Sequence, residues 1–290
     1  MWTNYHSHSE YCDGKFPIDA HLQAAIQKGF YAFGCSSHAP VDFENAWSMD
    51  LNQLATYVDE IRTFQQTYRE QLLVFAGLEV DYIPDVISPR TDYILEAQLD
   101  YTVGSVHFVD RFEDGEHWGI DGSKSHFLKG LTDLWHGDIE AAVRRYYALI
   151  RQMVEEACPD VIGHIDKIKL HNHSEHLFSE DSKWYRQAVR ETLDTIRQTK
   201  AIVEVNTRGI YKKKLPEPYP SLWILKELHQ FGIPICLNSD SHHPREIDAQ
   251  FQEMADLLLE IGFQKLMILD NKGWRAVPFT REGIEMEKTD

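Results

Sequence analysis

Short runs of apolar and β-branched residues alternate along the chain with longer stretches whose apolar positions recur every three or four residues. "WTNYH" precedes helical spacing from Pro17 to Lys28, which Gly29 ends. "YAFGCSS" precedes a helix from Leu51 to Glu70, and "LLVFAGLEV" a short helical piece from Tyr93 to Ala97. "YTVGSVHFV" leads through a polar stretch to a helix from Asp138 to Ala157. There Val143, Tyr146, Tyr147, Ile150 and Val154 make one apolar face. "DVIGHI", "AIVEVN" and "IPICLN" precede helices at Ser182–Gln198, Ser221–Phe231 and Arg245–Ile261, and "KLMIL" is a last candidate strand.

Strands that alternate with helices pair in parallel through right-handed crossovers. Seven or eight such units, with no linker rich in Pro, Gly or Ser, predict one closed α/β barrel spanning residues 1–290 as a single domain. An open doubly wound sheet competes, but no glycine-rich phosphate loop follows the first strand. The loops at 110–137 and 166–181 are longer than a minimal barrel needs, and long loops in compact domains are often functional.

Composition narrows the function. The 290 residues are 43% hydrophobic, enough for a sizeable core, and carry a formal net charge of −17. That charge speaks against nucleic acid or anionic membranes as partners. A phosphate-bearing ligand would have to be held locally, by metal ions or a few placed cations. No apolar run is long enough to span a bilayer, and the N-terminus lacks a basic segment followed by an apolar stretch. The four cysteines form no CxxC pair and read as reduced, so the expected compartment is the cytoplasm.

The candidate chemistry gathers at predicted strand ends. His6 and His8 end the first strand, two residues apart and so on one side of it. Asp13 follows in the first loop. His38, Glu79, His107 and His164 end the second to fifth strands, and Asp240 and His242 follow the seventh. In a parallel barrel these ends meet on one face. Nine N and O ligands exceed the four of one tetrahedral ion. They suit two or three divalent ions, with a carboxylate such as Glu79 bridging. Each histidine alone reads as an ordinary core or surface residue; the joint placement is what points to metal. Glu10 or Asp42 could stand in for Asp13. Arg208, at the end of the sixth strand, is the first choice to grip phosphate because a guanidinium binds it bidentately. Lys167 and Lys169, after the fifth strand, are further candidates. The run Lys212–Lys214 reads as a solvated loop edge.

"YHSHSEYCDG", "CSSHAP", "GLEVDYIP", "GSVHFVD", "GHIDKIKL", "EVNTRGIYKK", "PYPS" and "NSDSHHP", in this order, resemble the PHP (polymerase and histidinol phosphatase) superfamily. Within it they are most similar to the monofunctional histidinol-phosphate phosphatases. The resemblance implies a distorted TIM-like (β/α)7 barrel with its metal site at the C-terminal strand ends, so one of the eight candidate strands lies outside the closed sheet. It also implies a trinuclear site. His6, His8, Glu79 and Asp240 would hold one ion, Glu79, His107 and His164 a second, and Asp13, His38 and His242 a third. Some members carry histidine where Asp13 stands. The expected reaction is hydrolysis of histidinol phosphate, a small phosphate ester, by a metal-activated hydroxide. Asp240, His242 and Glu79 are the expected catalytic ligands, and the ions zinc, iron or manganese. Asp110, Trp118 and Asp121 are candidate partners for the amine and imidazole. The competing readings are a phosphoesterase for another small ester or nucleotide, and a non-catalytic metal-binding module.

Overall fold

The apolar runs become short strands, and the sequence of strands sets a barrel. A computed structural model describes residues 1–286; the last four residues of the 1–290 span expected for one domain lie outside the described residues. In chain order the strands are β1 (Thr3–Asn4), β2 (Ala32–Cys35), β3 (Leu73–Asp81), β4 (Tyr101–Ser105), β5 (Phe108–Arg111), β6 (His117–Gly119), β7 (Val161–Ile162), β8 (Ile202–Asn206), β9 (Ile235–Asn238), β10 (Lys265–Asp270), β11 (Gly273–Thr280) and β12 (Gly283–Ile284). Seven of them pair in parallel in the order β1-β2-β3-β4-β7-β8-β9. The first and last strands then meet. Ser7 bridges Ser241, and the His8 N–H donates to the Ser241 carbonyl at 2.8 Å. Below that bridge, Asn4 Nδ2 donates to Ser239 Oγ and the Tyr5 N–H to Asn238 Oδ1, both at 2.8 Å. The sheet is thus a nearly closed, distorted TIM-like α/β barrel.

The predicted helices wrap the sheet at Ile18–Gln27, Leu54–Tyr68, Asp92–Glu96, Ile139–Ala157, Lys183–Ile196, Leu222–Phe231 and Phe251–Ile261. The last starts at Phe251 rather than Arg245, because a tight turn at Pro244–Glu246 and a left-handed Gln250 (φ 65°) precede it. The long loop at 110–137 holds structure that periodicity did not reveal: the antiparallel pair β5–β6 and a helix at Lys124–Trp135. None of the described helices is long and apolar enough to cross a membrane.

"KLMIL", the eighth candidate, lies outside the barrel. As β10 it pairs antiparallel with β11, and this hairpin caps the barrel floor. Tyr5 Oη accepts from the Leu269 N–H (2.8 Å) and donates to the Leu269 carbonyl (3.0 Å), while the Trp274 ring meets Tyr5 edge-on at 5.0 Å. Inside the floor the Tyr101 ring fills the space beside Gly34 and Gly77. A Cβ at Gly77 would stand 2.3 Å from that ring and one at Gly34 2.3 Å from its hydroxyl, so both positions must lack one. Close packing of this kind fixes the strand ends on the opposite face.

Candidate metal centre

The strand ends deliver the predicted ligands into one pocket, and Glu79 is its hub. Glu79 Oε2 faces His6 Nε2 (3.1 Å), His8 Nε2 (3.4 Å) and His38 Nδ1 (3.3 Å). Its Oε1 faces His164 Nε2 (3.0 Å) and His107 Nε2 (3.6 Å) and accepts from Ser105 Oγ (2.6 Å). Asp240 Oδ1 lies 3.3 Å from His8 Nε2. Its backbone is left-handed (φ 51°), a conformation that aspartate tolerates better than most residues. Asp13 Oδ2 lies 3.0 Å from His242 Nε2. The structure therefore brings all nine residues together. It groups His8, rather than His38, most closely with Asp13 and His242, because His38 turns Nδ1 to Glu79 and its Nε2 stays 3.9 Å from Asp13. Glu10 and Asp42 are exposed and line neither cavity at the barrel mouth.

Two acids that the sequence reading passed over set the proton positions. Glu204, fully buried on β8, sits 2.6 Å from His6 Nδ1, and Asp81 sits 2.8 Å from His107 Nδ1. Each carboxylate accepts a hydrogen bond from the Nδ1–H and so turns Nε2, the atom that would ligate, toward the pocket. His107 Nε2 then meets His164 Nε2 at 3.3 Å. His6 Nε2, His8 Nε2, His38 Nδ1 and Asp13 Oδ1 are buried without a hydrogen-bond partner. Buried polar atoms are rarely left so, and bare nitrogens aimed at one point repel unless a cation lies between them. Ligand atoms from groups such as His6, Glu79 and His164, or His6, His8 and Asp240, lie within 4.8 Å of one another. The donor set fits divalent metal ions.

The electrostatics agree. Burial alone would raise the Glu79 carboxyl, but His6 and His38 hold it well below the usual carboxylate range. Burial acts on Asp240 in the same sense, and Arg208 and His6 overcome it. Burial, reinforced by His242, pushes His8 down to about 4, so its ring is neutral near pH 7, the form that ligates. Burial lowers His107 as well, yet Asp81 outweighs it and raises the ring to about 9, so near pH 7 the ring holds a second proton unless a cation displaces it.

Beside these ligands lies a polar pocket of about 180 Å³. Arg208 and Lys167 line it, as expected, and so does Lys214, from the run read as a loop edge. Lys214 is reached because the chain doubles back: its N–H donates to the Gly209 carbonyl at 2.9 Å. Lys169 is a correction. Its ammonium is buried against Asp166 (2.8 Å), Ser221 Oγ (2.6 Å) and the Pro218 carbonyl (3.1 Å) and does not line the pocket. Trp118 is also corrected: it is fully buried and packs on Phe127. Asp110 is exposed and off the pocket, whereas Asp121 lines it, 3.7 Å from Lys167 Nζ.

Comparison with known proteins places this architecture. The histidinol-phosphatase of Bacillus subtilis is 27% identical over 268 residues, covering 85% of this chain and 96% of its own. A solved structure from Listeria monocytogenes superposes with a TM-score of 0.74 at 23% identity, over 87% of this chain and 99% of that one. Histidinol phosphate phosphatase from Lactococcus lactis, solved with zinc, L-histidinol and phosphate, gives 0.66 at 18% identity over 98% and 99%. These structures share the fold. The pattern of the PHP domain matches residues 4–208, a span that takes in His6 and ends at Arg208, and the chain belongs to the PHP domain family.

Proposed function

We propose that the protein is a metal-dependent phosphomonoesterase that hydrolyses L-histidinol phosphate to L-histidinol and phosphate, in cytoplasmic histidine biosynthesis. The observation that carries this reading is the clustering of nine candidate ligands at the barrel mouth against a pocket that Arg208, Lys167 and Lys214 line. Its relatives' names, and the ligands bound in the Lactococcus lactis structure, support the choice of ester. His6, His8, Glu79 and Asp240, then Glu79, His107 and His164, then Asp13, His38 and His242 would hold up to three zinc, iron or manganese ions. Bound divalent ions supply Lewis acidity, neutralising the phosphate dianion and making water acidic enough to attack near neutral pH.

The chain's own residues bind and orient. Arg208 Nη1 is held by the Asp240 carbonyl (2.6 Å) and His242 Nδ1 (2.8 Å), while its Nε and Nη2 have no hydrogen-bond partner among the described residues. Those free donors suit two phosphate oxygens. Lys167 and Lys214 add charge around the same volume. In the reaction a water oxygen bonds to phosphorus, the P–O bond to the alcohol breaks, and the proton lost by water ends on the leaving oxygen. The test is phosphate release by the metal-loaded protein from a panel of esters. Histidinol phosphate is expected to be hydrolysed best, and Asp240→Asn to lose most turnover while keeping its circular dichroism. Release confined to phosphodiesters, or an unimpaired Asp240→Asn, would overturn the reading.

A further inference from the structure

Arg208 and Tyr211 stand three residues apart on a single helical turn, Arg208–Tyr211, so their side chains share a face. The turn follows β8 and meets the loop after β9 that carries Asp240 and His242. An arginine side chain is long and flexible. Its grip on phosphate depends on how firmly the planar guanidinium is fixed before the ligand arrives. Here one nitrogen is the anchor. Nη1 meets the Asp240 carbonyl, His242 Nδ1 and, at 3.3 Å, Tyr211 Oη.

The neighbours of the Tyr211 hydroxyl settle its polarity. A guanidinium only donates and a carbonyl only accepts. Oη therefore accepts from Arg208 and sends its own proton to the Ser239 carbonyl (2.9 Å) or the Asp240 carbonyl (3.0 Å). The same Asp240 carbonyl accepts from Arg208 Nη1 at 2.6 Å, so guanidinium, phenol and main chain close a three-membered circuit. Asp240 is the left-handed residue of its loop, and its carboxylate faces His8. One hydroxyl thus joins the side chain expected to hold phosphate to the backbone that aims a candidate metal ligand.

The tyrosine is itself held from outside. The Lys212 ammonium pairs with Glu246 and lies 5.4 Å from the centre of the Tyr211 ring. Glu246 Oε2 in turn accepts from the His242 N–H at 3.4 Å. Tyr211 lines neither cavity at the barrel mouth, whereas Arg208 lines the phosphate pocket. Any effect of the hydroxyl on a bound anion must therefore pass through Arg208 or the Asp240 main chain.

We propose that Tyr211 is a positioning residue for phosphate: its hydroxyl fixes the Arg208 guanidinium against the Asp240 carbonyl, so that Nε and Nη2 are held ready for phosphate oxygens. The assignment rests on the reading of Arg208 as the cation that grips phosphate.

The test reads phosphate affinity on the metal-loaded full chain in three ways: KM for histidinol phosphate, Ki of inorganic phosphate, and calorimetric Kd of inorganic phosphate. None of these constants depends on the fraction of protein folded. Tyr211→Phe keeps the ring and removes only the hydroxyl. It is expected to raise KM, Ki and Kd about five- to tenfold, the scale of one lost hydrogen bond, with kcat changed less than about twofold. In an Arg208→Ala background the same substitution should move these constants by less than about twofold, because the group through which Tyr211 acts is gone. A hydroxyl with a merely structural role would lower Tm equally in both backgrounds and leave KM and Ki alone. Unchanged phosphate affinity in Tyr211→Phe, or an equal loss in both backgrounds, overturns the assignment. A wild-type chain that hydrolyses no phosphomonoester overturns the proposed function alone, and the calorimetric Kd of the same variants then decides the role of Tyr211.

Discussion

A fully buried carboxylate is tolerated only where something pairs with it, and Glu204 is paired on every side. It faces His6 Nδ1 with one oxygen, and the other accepts from the His164 N–H (2.9 Å) and Asn206 Nδ2 (3.0 Å). An amide in its place would have to turn an NH₂ toward donors. Glu204→Gln is therefore expected to disorient His6 and weaken metal affinity about 10–100-fold. Competition with a chelating dye measures this, and unchanged affinity would show that His6 needs no such partner. The candidate ligands themselves were legible in the sequence because they end strands, where a barrel gathers side chains whatever the loops do. Glu204 and Asp81 were less so, being inside runs read for their apolar neighbours. A signal existed all the same, since Asp81 stands two residues from Glu79 and so shares its face. The lysines show the reverse limit: Lys169 and Lys214 both sit in polar loops, and only tertiary contacts send one into an ion cluster and the other into the pocket. Lys169→Met, which strands Asp166 without its cation, should cost about 3–5 kcal/mol in denaturant unfolding. Lys214→Met should change stability by less than about 0.5 kcal/mol and raise KM for the phosphate ester. The opposite pattern would reverse the roles given to the two side chains.

Among the elements, the barrel strands were readable although some are very short. β7 has two residues, Val161 and Ile162, yet its place is fixed by pairing with both β4 and β8. The β5–β6 hairpin was not read, because its few residues are interrupted by charges and lack a sustained alternation. Its turn was nevertheless marked by Asp114–Gly115, a dipeptide suited to positive φ, and Gly115 has φ 95°. The floor hairpin was visible only as one apolar run, since what holds it is a long-range contact. Tyr5, one residue before His6, satisfies both backbone groups of Leu269 with its single hydroxyl. Tyr5→Phe would leave a buried N–H and carbonyl unpaired, and a loss of about 1–3 kcal/mol is expected. Urea unfolding checks it. A loss near zero would mean that β10 finds other partners when the hydroxyl is gone.

At the scale of the whole molecule, the metal centre and the barrel seam coincide. The first and last strands touch through Ser7 and Ser241, and the residues flanking that bridge are His6, His8, Asp240 and His242. Ions held there would join both ends of the sheet to Glu79, His107 and His164 across the mouth. Binding that favours the folded chain stabilises it by mass action, about 4 kcal/mol when free metal is a thousandfold above its dissociation constant. Removing metal with a chelator should accordingly lower Tm by several degrees, and zinc or manganese should restore it. The gain should shrink as pH falls, because protons compete with metal for the imidazoles. Glu79→Gln replaces one of the two oxygens by which this carboxylate links the halves of the cluster, so most of the metal-dependent gain should vanish in that variant even where its metal-free Tm is close to that of the wild type. Hydrogen exchange locates the effect: in the metal-free protein, amides at Ser7 to Ser9 and at Asn238 to His242 should exchange faster, while those of β3 and β4 change little. Uniform loosening of the sheet would instead mean that the ions stabilise the barrel at large, and that its seam is closed by the backbone alone.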